Sequence, residues 1–458
     1  IDKGEYMPVD VAGLEAMGIS HEGGGDEYDD EDDDEDSDAD DINLSPDDAI
    51  VVVAKTEDDF AVLEVHVYEE KSGNLFVHHD IPLPSFPLCL AHGDINHMGG
   101  AGNYIAVGTF SPGIEVWNLD VLNALEPSCI LGGDDTTAAD ELMKMNMMMH
   151  SAGSHKKQQQ QQPSTAGLKE GSHTDAVMSL CWNKIHRQVI ASGSADQTVK
   201  IWDITKENAN AATFTHHKNK VQAVVWHPTE GTLLATAAYD RTVALLDARS
   251  NEDCKKVKIT ADVESIAWDP HNTHYLTAAT EDGSLTCWDV RQFEKPVWSM
   301  VVEEYGGVTD LAYNPNVPGM LATCSLNKTV TLWDTTQKEK VPPVACGNKA
   351  MEVGKLYTLS FYTSSSWLLG CGGSAKKLAL WDMTRDDAIQ KRFGERIQQQ
   401  QEQTNNAVEE EQKKEVDFEA MMTPTAKDDT AALDKAREKS NNNNKKGKKK
   451  KGAHKRRK

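Results

Sequence analysis

No stretch of this 458-residue chain reaches about 18 consecutive apolar residues, so no helix in it is predicted to span a membrane. Its eight cysteines contain no C-x-x-C pair. Scattered through strand-like runs, they read as reduced, buried thiols of an intracellular protein, not as a disulfide framework or a zinc site. No glycine-rich loop has phosphate-cradling spacing and there is no nucleophile elbow, so neither a nucleotide site nor a hydrolase is signalled. The pairs His78-His79 and His216-His217 are adjacent in sequence, so within a strand their side chains are expected to point apart, which argues against shared metal ligation. The sequence thus predicts no catalytic residue, no cofactor, no metal and no small-molecule substrate. Ile1, not Met, stands first, so native residues are expected upstream, and the cysteine usage argues against a signal peptide there.

What the chain does have is a recurring word. Thr198-Val-Lys-Ile-Trp-Asp203 returns as Val243-Ala-Leu-Leu-Asp247, Leu285-Thr-Cys-Trp-Asp289, Val330-Thr-Leu-Trp-Asp334 and Leu378-Ala-Leu-Trp-Asp382. Ile114-Glu-Val-Trp-Asn118 is the same word and Leu63-Glu-Val-His-Val-Tyr68 a worn copy. The marker positions Val67, Trp117, Trp202, Leu246, Trp288, Trp333 and Trp381 are spaced 50, 85, 44, 42, 45 and 48 residues apart. A period of about 40–45 residues ending in Trp-Asp is the signature of WD repeats. The 85-residue gap is one period plus an insertion. Seven markers therefore predict an all-β, seven-bladed WD40 β-propeller. Stacking blades radially buries the faces of each four-stranded sheet and leaves only short edges. Within Val199–Asp203, Val199 and Ile201 are expected on one face and Lys200 and Trp202 on the other, with Trp202 between blades and Lys200 toward the rim. Turns rich in Gly, Ser and Asp precede each marker, as a tight hairpin requires.

Composition divides the rest. Residues 1–41 form an N-terminal segment whose acidic run, Asp26–Asp41, is predicted disordered; its function is either to solvate or to bind basic partners. Ser37, flanked by acids, is a phosphorylation candidate. The propeller is predicted over 42–385, with blade 1 starting near Ile42 and containing four strands. Blade 7 shows only three, and Tyr6–Val9 is expected to close the ring; helical sequence after Asp382 is the alternative. Residues 134–170, with Met147–Met149 and Gln158–Gln162, are a low-complexity insertion predicted to be disordered. Residues 386–458 are a Gln- and charge-rich tail. Ten of its last fourteen residues are basic, including Lys448, Lys449, Lys450, Lys451, Lys455, Arg456, Arg457 and Lys458. Such a cluster acts in nuclear import or in phosphate-backbone binding.

His173, Ser192, Asp196 and Trp202 have the spacing of the hydrogen-bond network inside a WD blade. That structural reading outweighs a Ser-His-Asp hydrolase. His217, Thr236 and Asp240 repeat it in blade 4, where Leu246 replaces the Trp. Loops sharing the hairpin face collect Lys218, Lys220, Arg241, Lys328, Lys349, Lys376 and Lys377, a basic arc that is a candidate for binding RNA or protein, interrupted by Asp262, Glu264, Glu281 and Asp282 of blade 5. Asp247-Ala-Arg249 and Asp289-Val-Arg291 resemble the box by which WD receptors join cullin-type ubiquitin ligases.

Leu63-Glu-Val-His-Val-Tyr68, Val77-His-His-Asp80, Asn103-Tyr-Ile-Ala-Val-Gly108, Ile114-Glu-Val-Trp117, His173-Thr-Asp-Ala-Val177 and Asp240–Ser250 together resemble the periodic tryptophan protein 1 family. The resemblance spans residues 42–385 in order. It implies a nucleolar, nuclear, non-enzymatic propeller that assists large-subunit (pre-60S) ribosome assembly. Its implied partners are pre-ribosomal RNA, ribosomal proteins and assembly factors. The alternatives are a ubiquitin-ligase substrate receptor, or a histone- or chromatin-binding protein suggested by the acidic run and the nuclear signal.

Overall fold

Each Trp-Asp segment, and its degenerate copy in the first repeat, forms the third strand of an antiparallel sheet, and seven such sheets make a closed ring. A computed structural model describes residues 48–58, 60–122, 124–135, 167–206, 209–250, 254–302, 306–336 and 341–398, and the backbone of 6–9. Blade 1 is β1 (Tyr6–Val9), β2 (Asp48–Thr56), β3 (Ala61–Glu69) and β4 (Asn74–Leu83). Blade 2 is β5 (Pro87–Ile95), β6 (Ala101–Thr109), β7 (Ile114–Asn118) and β8 (Cys129–Leu131). Blade 3 is β9 (Val177–Trp182), β10 (Val189–Ser194), β11 (Val199–Asp203) and β12 (Asn210–Phe214). Blade 4 is β13 (Val221–Trp226), β14 (Leu233–Ala238), β15 (Thr242–Asp247) and β16 (Cys254–Lys258). Blade 5 is β17 (Val263–Trp268), β18 (Tyr275–Thr280), β19 (Ser284–Asp289) and β20 (Pro296–Val301). Blade 6 is β21 (Val308–Tyr313), β22 (Met320–Ser325), β23 (Thr329–Asp334) and β24 (Val344–Ala350). Blade 7 has three strands, β25 (Leu356–Phe361), β26 (Leu368–Gly373) and β27 (Leu378–Asp382).

Ring closure differs from the expectation. Tyr6–Val9 does join the ring, but by pairing with β2 (Tyr6 opposite Val53, Val9 opposite Ile50), so it is the inner strand of blade 1 and lies between β25 and β5. Blade 1 therefore draws its four strands from both sides of the acidic run, and residues 42–47 lie outside the described residues. The helical alternative is also present: a helix (α1) over 387–398 follows β27. Asp386 caps it, its Oδ1 accepting from the N–H of Ala388 (3.1 Å) and Ile389 (3.2 Å). Ile389, Phe393 and Ile397, spaced i, i+4, i+8, are buried among core residues of blades 6 and 7, such as Val330, Leu332 and Trp381.

The core lies between blades. Val199 and Ile201 pack on Val221, Val224 and Trp226 of blade 4, while Trp202 packs on Ile114, Val116 and Leu131 of blade 2. Each fully buried side chain of this size contributes on the order of 2–3 kcal/mol. Lys200 corrects an expectation. It is buried, not rim-facing, and its Nζ donates to Thr213 Oγ1 on β12 at 3.1 Å. Burial lowers its pKa, with Asp196 opposing. The insertion leaves and re-enters through a clasp: Asp134 bridges Leu168, Asp135 N–H donates to Gly167 O (2.6 Å) and Lys169 N–H to Gly133 O (2.9 Å). Residues 136–166 lie outside the described residues. Among the described residues no helix is long and apolar enough to cross a membrane.

Candidate functional site

In blade 3 one chain of donors joins four side chains. Trp202 Nε1–H donates to Ser192 Oγ (2.7 Å), Ser192 to His173 Nε2 (2.7 Å), and His173 Nδ1–H to Asp196 Oδ2 (2.8 Å). Asp196 also accepts from the N–H of Thr174 and Thr198 and from the Thr198 hydroxyl. Burial pushes the Asp196 carboxyl up, but the His173 and Thr198 bonds outweigh it and hold it well below the usual carboxylate range. Burial lowers the His173 pKa, with Asp196 opposing. Ser192 and His173 are 0% exposed. The group ties inner loop, second strand, hairpin and third strand together, with the Ser192 hydroxyl out of reach of any substrate. Blade 4 repeats it without the Trp: His217 Nε2 meets Thr236 Oγ1 at 2.8 Å and His217 Nδ1 meets Asp240 Oδ2 at 3.2 Å.

Both histidine pairs depart from simple alternation. A β-bulge takes His78 out of the β3–β4 ladder, so His78 Nδ1 and His79 Nδ1 lie 2.8 Å apart. His216 and His217 lie just before β13; their rings are 4.3 Å apart and both reach Thr236 Oγ1. Among the described residues no group of three or more His, Cys, Asp or Glu is placed to hold a metal ion.

The hairpin face carries the basic arc. In five hairpins one residue sits at positive φ: Gln197 (70°), Arg241 (59°), Gly283 (80°), Lys328 (71°) and Lys376 (57°). The preceding Asp holds the turn where present, since Asp196, Asp240 and Asp282 each accept from the N–H two residues on. Charge on this face is not uniform. Arg241 Nε pairs with Asp262 (2.9 Å), the Lys220 ammonium lies 3.9 Å from the Tyr239 ring centre, and Tyr239 donates to Glu264 (2.9 Å). Blade 4's cations are thus engaged at the border with acidic blade 5; Lys218 is exposed. At blades 6 and 7 Lys328, Lys349, Lys376 and Lys377 are exposed. Lys349 is not in a loop as expected: it belongs to β24, its ammonium 5.3 Å from the Trp381 ring centre. Sequence reasoning missed exposed Lys355, whose N–H is held by Ser374 Oγ at the blade 7 hairpin. Its position just before an inner strand is the signal that would have found it. The basic residues Lys448–Lys458 and the acidic run with Ser37 lie outside the described residues.

On the opposite face the Asp that ends the third strand of blades 3–7 caps the turn after it. Asp203, Asp334 and Asp382 accept from the N–H and hydroxyl of Thr205, Thr336 and Thr384. Asp247 and Asp289 instead hold Arg249 and Arg291 in matching two-pronged pairs, with Nη2–Oδ2 distances of 2.6 Å in both. The centre of the ring is a cavity of about 220 Å³ lined by inner strands of blades 2–7. Asp310 is its hub, accepting from Ser265 Oγ (2.7 Å), Thr358 Oγ1 (3.1 Å) and Leu359 N–H (3.0 Å), which joins blades 5, 6 and 7.

These features define a WD-repeat propeller that presents surfaces. Residues 168–203 match the family model "WD domain, G-beta repeat", and 225–350 match "MIOS, WD40 repeat". The chain is 32% identical over 402 residues to Periodic tryptophan protein 1 of Saccharomyces cerevisiae, covering 78% of this chain and 67% of the relative. It is 32% identical over 368 residues to the Periodic tryptophan protein 1 homolog of Drosophila melanogaster, covering 78% and 72%. An uncharacterised WD repeat-containing protein of Schizosaccharomyces pombe is 32% identical over 364 residues, covering 78% and 66%. The chain belongs to the periodic tryptophan protein 1 family. It spans about two thirds of the length of these relatives.

Proposed function

We propose that this chain is a non-enzymatic scaffold of ribosome biogenesis, working in the nucleus and nucleolus on pre-60S particles. It would hold pre-ribosomal RNA, ribosomal proteins and other large-subunit assembly factors. The observation that carries this reading is the family kinship over 78% of the chain. The buried Ser192–His173–Asp196 group is consistent with it, because the constellation most like a catalytic triad serves to hold a blade together. So is the exposed lysine corner of blades 6 and 7.

The basic tail supplies affinity that is independent of sequence. Neutralising six to ten phosphates makes binding fall about a thousandfold or more between 50 and 200 mM salt. The full chain, titrated with a single-stranded ribosomal RNA fragment, is expected to show this dependence, and a chain lacking Lys445–Lys458 is expected to lose most of it. An unchanged salt slope after deletion would remove the tail from RNA binding.

A further inference from the structure

Six of the seven blades end in a fourth strand antiparallel to the third. β27 has no outer neighbour among the described residues. Its backbone direction follows from the turn after it: Met383 N–H donates inward to Trp367 O at 2.9 Å. In blade 3 the equivalent pair behaves the same way, Ile204 N–H turning inward to Gln188 O and Asp203 N–H outward to Ala209 O on the fourth-strand side. Alternation therefore turns the N–H and C=O of Leu378, Leu380 and Asp382 outward. Exposure differs in the same sense: Leu378, Ala379 and Leu380 are half-buried, whereas their counterparts Val330, Thr331 and Leu332 in blade 6, which has its fourth strand, are buried.

The neighbouring blade shows the same vacancy from its side. Val51 and Val53 of blade 1 pack on Leu378 and Leu380, so this face of β2 looks at blade 7. Across the ladder Val51 opposes His66, which opposes Val77; Ala49 opposes Tyr68, which opposes Leu75. Directly opposed residues share a face. Val77 is 48% exposed and Leu75 36%, large apolar side chains beside the place where a fourth strand of blade 7 would lie. His66, on that face, is buried with Nδ1 unpartnered. At the hairpin end of the slot Lys376 and Lys377 are exposed, with Lys376 3.6 Å from Asp58.

We propose that this rim slot is a strand-accepting site that takes an extended segment of a partner protein, whose apolar residues alternate and whose C-terminal end is acidic, as the fourth strand of blade 7. Its main-chain groups pair with Leu378, Leu380 and Asp382. Its apolar side chains cover Val77 and Leu75. Running antiparallel to β27, as the other six fourth strands run to their third strands, it brings its C-terminal acids beside Lys376 and Lys377. The chain's own Asp26–Asp41 run supplies the charge but not the alternation, since its only residues other than Asp and Glu are Tyr28, Ser37 and Ala39; aspartate is also depleted in strands. The site stands whether or not the chain works on ribosomal precursors.

The test uses the full chain and a synthetic peptide that alternates threonine and valine over six residues and ends in three aspartates. Hydrogen–deuterium exchange of the fragment holding Leu378–Asp382 is expected to slow at least tenfold when the peptide is added. Leu380→Pro removes an outward donor and no existing ladder bond, and is expected to weaken peptide binding at least tenfold at unchanged circular dichroism. The double variant Lys376→Glu, Lys377→Glu is expected to weaken it several-fold, most at low salt. The proposal is overturned if the peptide gives no protection, or if those amides are already protected in the free full chain, which would mean that a segment of the chain itself fills the slot. Equal protection by a peptide ending in three lysines, or protection by single-stranded RNA instead, overturns it as well.

Discussion

Trp202, Ser192, His173 and Asp196 form a bracket whose middle member is the most sensitive. Removing the Ser192 hydroxyl leaves Trp202 Nε1–H without its acceptor and His173 Nε2 without its donor, both buried. Each orphaned group costs about 1–3 kcal/mol. Ser192→Ala is therefore expected to lower unfolding free energy by roughly 3 kcal/mol in denaturant titration, at unchanged RNA affinity. A second residue-level effect concerns acid. Burial first, then His217 and Lys256, push the His216 pKa down to about 3. A histidine depressed on folding is protonated first in the unfolded state, so its contribution is complete above about pH 6.5 and is lost as pH falls from there toward 3. His216→Gln is expected to flatten the stability-versus-pH curve across that window; an unchanged curve counts against the assignment. The bracket was legible because its spacing repeats. The burial of Lys200 was not, because its partner Thr213 lies on an outer strand that carries no marker. The histidine contacts were missed because a bulge and a pre-strand loop escape the two-residue alternation.

Among the elements, α1 is anchored by its apolar face and by one buried carboxylate of blade 6. The Asp334 side chain has no exposure and accepts from Arg392 Nε (2.6 Å) and Arg396 Nη2 (2.9 Å) as well as Thr336. Burial raises its pKa, but the Arg396 and Thr336 bonds outweigh this and hold it well below the usual carboxylate range. Removing one partner of a buried pair costs about 3–5 kcal/mol; the partly exposed guanidinium groups place Asp334→Ala near the low end, about 3 kcal/mol. The variant is also expected to release α1, read as faster amide exchange over 387–398. A helix was readable in the Ile389, Phe393, Ile397 spacing. Its anchor, 62 residues back in sequence from Arg396, was not, because Asp334 already had a reading as the Asp of a Trp-Asp pair. Tyr6–Val9 was readable as ring-closing but not as belonging to blade 1, since sequence shows strand content and not pairing.

For the molecule as a whole, successive blades are stitched by side chains reaching the next blade's first loop. Asn183 donates to Gly231 O (2.7 Å), His227 to Thr273 O (2.9 Å), His271 to Asn314 O (3.3 Å) and Asn314 to Ser366 O (3.0 Å). Trp226 and Trp268 add bonds to Cys181 O and Val225 O of the preceding blade. Among the described residues the apolar packing between blades 7 and 1 falls in two small groups, Val51 and Val53 against Leu378 and Leu380, and Ala49 and Tyr68 against Tyr362, Leu368 and Leu380. Native-state hydrogen exchange is expected to show blades 7 and 1 opening at lower free energy than blades 3–6; uniform opening would contradict a weak seam. Blade number and order were legible because radial stacking imposes one period on the sequence. The uneven strength of the joints was not, because it depends on which surfaces meet across the ring.

The clasp formed by Asp134 and Leu168 sets Asp135 and Gly167 side by side, so the chain leaves and re-enters the ring at one point. Doubling the length of a flexible loop closed at its base adds only about 0.6 kcal/mol of closure entropy, so sequence added between the two ends of the clasp costs the ring little. The position is a natural graft point: a fluorescent reporter or an affinity handle placed there should ride on the assembled ring without loosening it.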